Sequence, residues 1–207
     1  RSSADGSRIA VAMMSGRVIT STLETGEQLI LDYHTDGVRD VIYSPDGQRL
    51  ASVGMDRKVL IMDAANGDLL TEFERNEFTY SVAFSSDSRL LYVASGDGII
   101  STWDIARNQI VQERTLRFPS VRQVVYSPDG RFVAAVTDED SVGRVFDAVT
   151  NRQVAVLRRS DQQTLAIAYR PDGRVIVTSG SGGDVLVWRT DNFQLVDTLE
   201  TPEDRIY

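Results

Sequence analysis

Apolar positions along this chain come in short runs of two kinds. Runs such as Val59-Leu60-Ile61-Met62 and Val185-Leu186-Val187-Trp188 are apolar throughout, as a strand is when both of its faces are covered. Runs such as Thr71-Glu72-Phe73-Glu74 alternate, as a strand does when one face is wet. Turn residues stand between the runs, and one phrase returns five times: Asp5-Gly6, Ser44-Pro45-Asp46-Gly47, Ser85-Ser86-Asp87-Ser88, Ser127-Pro128-Asp129-Gly130 and Arg170-Pro171-Asp172-Gly173. The aspartates are 41, 41, 42 and 43 residues apart. A period near forty predicts an array whose units bury their apolar faces against their neighbours. Function is then expected on a surface that several units share.

Each period reads as four strands, a to d. In the second, a runs from Arg39 to Tyr43, b from Arg49 to Val53, c from Val59 to Met62 and d from Leu69 to Phe73. Ser44-Pro45-Asp46-Gly47 has the residues of a type I turn and joins a to b. Asn66-Gly67 joins c to d, and both residues tolerate positive φ. Gly26, Asn108 and Asn151 fall at the same place in other periods. Ser88 replaces a turn glycine, and Phe193 stands where Gly67 aligns, so Asn192 is expected to take the tight position and these two turns to be looser. Inner strands covered on both faces and an outer strand that is wet describe a blade stacked between two others. The expected fold is all-β: a β-propeller of five four-stranded blades, with no helix longer than two turns.

A tryptophan-aspartate pair closes strand c at Trp103-Asp104, and its aligned positions are Ser21-Thr22, Met62-Asp63, Phe146-Asp147 and Trp188-Arg189. Their spacings of 41, 41, 43 and 42 residues keep step with the turns. In this the chain resembles the WD-repeat β-propellers over essentially its whole length. The resemblance implies a hydrogen-bonded group of His, Ser or Thr, Asp and Trp in each repeat. Tyr33-His34 is similar to the family's Gly-His, with Ser52 on strand b and Asp56 in the b–c turn, but Met62 replaces the tryptophan. Asp97 with Trp103, and Asp140 with Phe146, keep fragments, while Arg75 and Arg117 stand at or near the histidine position. These are degenerate, WD40-like repeats, whose rigidity is expected from apolar packing, with Trp103 and Trp188 buried between blades.

A single region over residues 1–207 is expected, with blades at about 1–33, 34–76, 77–117, 118–160 and 161–200, and residues 201–207 opening a further strand. Nineteen strands can be placed in the sequence, whereas five closed blades need twenty. The expectation is an arc cut from a larger propeller of seven or eight blades, with further blades missing from this chain. The alternative is a ring of five in which the tail completes blade one.

Composition narrows the function classes. Net charge is −8, and the 22 basic residues are scattered without forming a stripe, so no nucleic-acid partner is expected. No apolar run approaches the roughly 20 residues that span a bilayer, so no membrane partner is expected either. With no cysteine and one histidine, disulfides, thiolate metal sites and histidine clusters are excluded; no cofactor or metal is expected. The basic residues are 21 arginines and Lys58 alone, a hint of a GC-rich, bacterial coding sequence. Cytoplasm is the default compartment.

Candidate chemistry is sparse. Any Ser-His-Asp system must run through His34, whose position instead matches the family's structural histidine. Gly180-Ser181-Gly182-Gly183-Asp184 lacks the Lys-Ser/Thr and the helix of a phosphate loop and reads as a b–c hairpin. Asp138-Glu139-Asp140 could offer oxygens to a cation, but without the glycine of a calcium loop; Asp140 aligns with the turn residues Asp56 and Asp97. Paired carboxylates facing a central funnel would make a glycosidase-like hydrolase, the alternative reading. The connections from d to the next a carry aromatics and arginines where no core demands them, the residue types that anchor protein interfaces. The candidate partner-binding residues are Thr35, Asp36, Phe78, Tyr80, Phe118, Arg122, Glu139 and Gln163, against the possibility that Phe78 and Phe118 staple their own loops. The expected function is a non-catalytic scaffold presenting this loop rim to a protein or peptide, as the sensor or partner-binding part of a larger signalling protein.

Overall fold

The computed structural model describes residues 1–115, 121–137, 142–150, 152–158 and 163–200. Its strands form five antiparallel meanders in chain order. The first holds three strands, β1 (Arg8–Ala12), β2 (Val18–Thr22) and β3 (Gln28–Leu31). The second holds β4 (Val38–Tyr43), β5 (Arg49–Gly54), β6 (Lys58–Asp63) and β7 (Leu69–Glu74). The third holds β8 (Thr79–Phe84), β9 (Leu90–Ser95), β10 (Ile99–Asp104) and β11 (Gln109–Thr115). The fourth holds β12 (Val121–Tyr126), β13 (Phe132–Thr137), β14 (Gly143–Asp147) and β15 (Gln153–Leu157). The fifth holds β16 (Thr164–Tyr169), β17 (Val175–Gly180), β18 (Val185–Arg189) and β19 (Leu195–Leu199). The first sheet lacks a full strand a, but Ser2 bridges Ile9 and the Ala10 amide donates to the Arg1 carbonyl at 2.8 Å, where such a strand would lie.

Packing follows from alternation. Successive side chains of a strand point to opposite faces, so Leu50 and Leu60 join a core with Ala10, Val18 and Leu31 of the first sheet, while Ala51, Val53, Val59 and Ile61 join Val82, Leu91 and Trp103 of the third. Two further cores repeat this between the third and fourth sheets and between the fourth and fifth. The sheets are therefore blades, with β1, β4, β8, β12 and β16 side by side in that order. Ile9 and Val11, on the first blade, are exposed, and Val177 and Val187, on the fifth, are half-buried. These belong to none of the four cores.

The turns depart from expectation at three places. The Ser88 turn is no looser than its equivalents: Ser88 itself adopts φ 60° and closes the same bond, amide to Ser85 carbonyl at 2.9 Å, that Gly47 makes to Ser44. In the fifth blade Phe193, not Asn192, is left-handed, at φ 56°. Its ring meets Phe132 edge-on at 5.3 Å, and this contact offsets the strain of a bulky residue at positive φ. In Asn66-Gly67 only the glycine has positive φ, at 81°. The Gly67 amide reaches back to the Asp63 carbonyl at 2.9 Å, and the Asp63 carboxylate accepts the Ala65 and Asn66 amides at 2.7 and 3.2 Å. A capped five-residue connection thus replaces the two-residue hairpin, with a register shift at Ile61/Met62.

Candidate protein-interaction surface

A four-stranded meander puts its a–b and c–d turns at one end and its b–c turns at the other. The connections between blades share that second end, the rim. Alternation buries Val38, Thr79, Val121 and Thr164 and turns Arg39, Tyr80, Arg122 and Leu165 outward at one register position of the four inner strands. The Arg39 guanidinium lies 5.7 Å from the centre of the Tyr80 ring, a cation–π contact between two blades. Tyr80 also covers the b–c turn, where a Cβ at Gly96 would lie 3.3 Å from its ring.

Phe78 is 42% exposed, and its carbonyl accepts the Gly96 amide at 2.9 Å. Its backbone is thus tied to the blade while its side chain is not buried. Thr35 and Asp36 are exposed; the Thr35 amide donates to Asp56 at 2.9 Å and Asp36 accepts the Gly37 amide at 2.7 Å. Gln163 is exposed and its carbonyl accepts the Ser181 amide at 3.0 Å. Only glycine fits at position 180, because a Cβ there would collide with that same carbonyl oxygen. Phe118 and Glu139 lie outside the described residues. The rim also holds Arg39 and the exposed Met13 and Met14, which sequence reasoning missed; Met14 is 63% exposed and rests over Gly37. Arg39 was legible from its shared register with Tyr80 and Arg122. The methionines were legible as an apolar pair in a b–c turn.

Beneath the rim lies a buried polar group. His34 Nδ1 is 2.9 Å from Asp56, and His34 Nε2 is 2.8 Å from the Ser52 hydroxyl. The order Asp-His-Ser is that of a nucleophilic triad, yet Ser52, on strand β5, is wholly buried and reaches no substrate. The fifth blade holds the complementary half: Trp188 Nε1 donates to Thr178 at 2.9 Å. In the third blade Arg75 takes the histidine's place and bonds Glu113 across the blade boundary at 2.8 Å, while Ser101 donates to the same oxygen at 3.1 Å. Asp97 makes no bond to Trp103; it accepts from Ser95 and the Ile99 amide of its own turn. Asp140 lies outside the described residues.

The inner strands decide what faces the central axis. At their third position stand Asp40, Ser81, Gln123 and Ala166, and Asp40 is the one carboxylate on the four strands. It accepts the Ser81 hydroxyl at 2.9 Å and the Val82 amide at 3.2 Å. Ser81 in turn accepts the Val124 amide at 3.2 Å, and Gln123 the Ile167 amide at 2.9 Å. Each polar side chain thus clasps the main chain of the following blade. A glycosidase needs two carboxylates, one on each side of a glycosidic bond, which these strands do not provide.

Two family models match the sequence. The WD domain, G-beta repeat, matches residues 26–63, and the cytochrome D1 heme domain matches residues 48–200. Pre-mRNA-processing factor 17 of Homo sapiens is 24% identical over 163 residues, covering 77% of this chain and 28% of the relative. The WD repeat-containing protein VIP3 of Arabidopsis thaliana is 30% identical over 125 residues, covering 60% of this chain and 39% of the relative. The eukaryotic translation initiation factor 3 subunit I of Debaryomyces hansenii is 26% identical over 159 residues, covering 74% and 45%. The chain belongs to the WD40-like repeat family. By the extent of the longer match, about three quarters of its residues, it belongs with the cytochrome D1 heme domain family as well. It spans less than half the length of each of these three curated relatives. All three are eukaryotic, so they lend no support to the bacterial origin expected from arginine usage.

The residues of these WD40-like blades do not fit a heme. Iron in heme takes a His, Cys, Met or Tyr ligand. Both ring nitrogens of His34 are committed to Asp56 and Ser52, cysteine is absent, Met62 is buried in a core, the hydroxyls of Tyr33, Tyr43 and Tyr126 are bonded to backbone carbonyls, and the exposed Met13 and Met14 stand on a surface turn. Among the described residues no three His, Cys, Asp or Glu side chains gather to hold a metal, and no helix is long and apolar enough to cross a membrane.

The turn carboxylates make the WD40-like array sensitive to acid. Asp5 and Asp172 are held at about 2 by hydrogen bonds from Ser3 and Arg170. Asp87, Asp104 and Asp147 lie below the usual carboxylate value through bonds from Ser85, the Arg107 amide and the Thr150 amide. Burial pushes Asp46 and Asp56 up, but bonds from Ser44 and His34 outweigh it and lower them. Folded values below unfolded ones mean that the unfolded chain binds more protons in the interval, so stability falls as pH falls. The melting temperature is expected to hold from pH 7 to about 5 and to drop from about pH 4 towards 2. A profile flat to pH 2.5 would show that these bonds contribute nothing.

Proposed function

We propose that this chain is a non-catalytic scaffold whose rim receives a protein or peptide partner, as the partner-binding or sensor part of a larger signalling protein in the cytoplasm. Neither nucleic acid nor membrane is assigned a part in it. The carrying observation is the exposed Phe78 beside the paired Arg39 and Tyr80, on the end that also exposes Met14. Large apolar side chains flanked by arginine are the usual anchors of protein interfaces, and the blades hold these rigidly. A relative named as a subunit of a translation initiation factor agrees with work inside an assembly.

Phe78→Ala combined with Arg39→Ala is expected to weaken retention of the partner on the immobilised protein at least tenfold. Circular dichroism and melting temperature should stay close to those of the parent. Glu72→Ala, on the outer strand β7, serves as the control and should leave binding unchanged. If the double variant instead melts many degrees lower, these side chains are loop staples and the rim is not the binding surface.

A further inference from the structure

In the first four blades the a–b turn opens on a serine. Ser3, Ser44, Ser85 and Ser127 donate to the turn aspartates at 2.5 to 2.7 Å and accept the amides of Arg8, Arg49, Leu90 and Phe132 at 2.8 to 2.9 Å. At the same end, strand c of blades two to four closes on an aspartate whose carboxylate caps the c–d turn. The fifth blade replaces both residues with arginine, Arg170 and Arg189. Neither cap survives the change. The two arginines and Arg174 instead line a concavity of about 480 Å³ with Val175, Thr190 and Asp191.

The charges there are unequal. Asp172 holds Arg170 through Nε at 2.9 Å and Nη2 at 2.7 Å, and Asp191 holds Arg189 through the same two nitrogens. Among the described residues the Nη1 edge of each guanidinium has no partner. The Arg174 amide donates to Asp172 at 3.0 Å, but its side chain makes no hydrogen bond or ion pair among the described residues and acts on Asp172 through its field. Three cations against two carboxylates leave a single positive charge, in a chain whose net charge is −8. A carboxylate ligand would only repeat what Asp172 and Asp191 already do. A dianion with three acceptor oxygens can instead engage the two free edges and the whole Arg174 fork.

We infer that this concavity on the fifth blade is a binding site for a phosphomonoester dianion. It lies at the end of the blades opposite the rim and does not rest on the scaffold reading, so either can fail alone. The probe is phenyl phosphate, titrated at low ionic strength by calorimetry. Saturable binding is expected, strengthening between pH 5 and 7.5 as the second phosphate proton leaves near pH 6. Phenyl sulfate and benzoate, both monoanions, should bind at least tenfold more weakly. A phosphoserine peptide beside free phenyl phosphate separates the sources: tighter binding of the peptide points to a modified partner protein, and equal binding to a small metabolite.

Arg170→Ser with Arg189→Asp restores residues that the other blades already accommodate, so this variant should fold and lose phenyl phosphate binding at least tenfold. Arg174→Ala, an exposed position, should weaken binding to a similar degree with an unchanged melting temperature, and decides the matter if the double variant misfolds. Phenyl sulfate or benzoate binding as tightly as phenyl phosphate would overturn the inference. So would undiminished binding in the Arg174→Ala protein, or no saturable binding of phenyl phosphate at all.

Discussion

Trp103→Ala is expected to lower the free energy of unfolding by about 3–5 kcal/mol, read from urea denaturation. Trp103 stands on strand c of the third blade and stacks on Phe73 of the second, ring centres 3.8 Å apart and planes 15° from parallel. It therefore fills the seam between two blades, and the alanine leaves a cavity that strands pinned by hydrogen bonds cannot close. Trp103→Phe should behave differently. Among the described residues the indole Nε1 is buried without a partner, so phenylalanine keeps most of the stack and removes an unsatisfied donor. Its expected loss is under half that of the alanine. At Trp188, whose Nε1 donates to Thr178, the same phenylalanine strands a buried hydroxyl. A Trp103→Ala protein as stable as the parent would mean that this ring does not join the blades.

The second large effect is expected at Asp56. Its side chain is 3% exposed and accepts from His34, the Thr35 amide and the Lys58 amide. Asp56→Ala leaves the buried His34 and the half-buried Lys58 amide without their acceptor and returns the exposed Thr35 amide to water, which is expected to cost about 3–5 kcal/mol, as when one partner of a buried polar pair is removed. Because Asp56 also fixes the start of the connection that carries Thr35 and Asp36, this variant should lose rim binding together with stability. The measurement is urea denaturation at pH 7. A loss below about 1 kcal/mol would place the organising role elsewhere in the blade.

Much of the architecture was legible before any coordinates because each a–b turn needs a short polar phrase with a residue tolerant of positive φ, and those phrases recur with a nearly constant period. Strand limits followed within a residue or so: b was expected from Arg49 to Val53 and ends at Gly54. Turn conformations were less legible. Asn192 has the better intrinsic tolerance for the left-handed region, yet Phe193 takes it, because a contact with Phe132 of the previous blade decides the matter. Cross-blade relations escaped sequence reading for the same reason. Nothing in the local pattern around Asp40 says that its carboxylate meets Ser81, 41 residues on. The site was partly visible: Phe78 and Tyr80 were picked out by residue type, whereas Arg39, at the same strand position as Tyr80, was passed over.

The clasps made from the third position of the inner strands run one way. In each, the accepting side chain belongs to the earlier blade and the donating amide to the later: Asp40 receives Val82, Ser81 receives Val124 and Gln123 receives Ile167, over separations of 42 to 44 residues. A chain leaving the ribosome at roughly 5–20 residues per second thus presents each new inner strand to an acceptor made a few seconds before. The polarity of these three bonds makes the array a structure suited to vectorial growth, each blade acting as the mould for its successor.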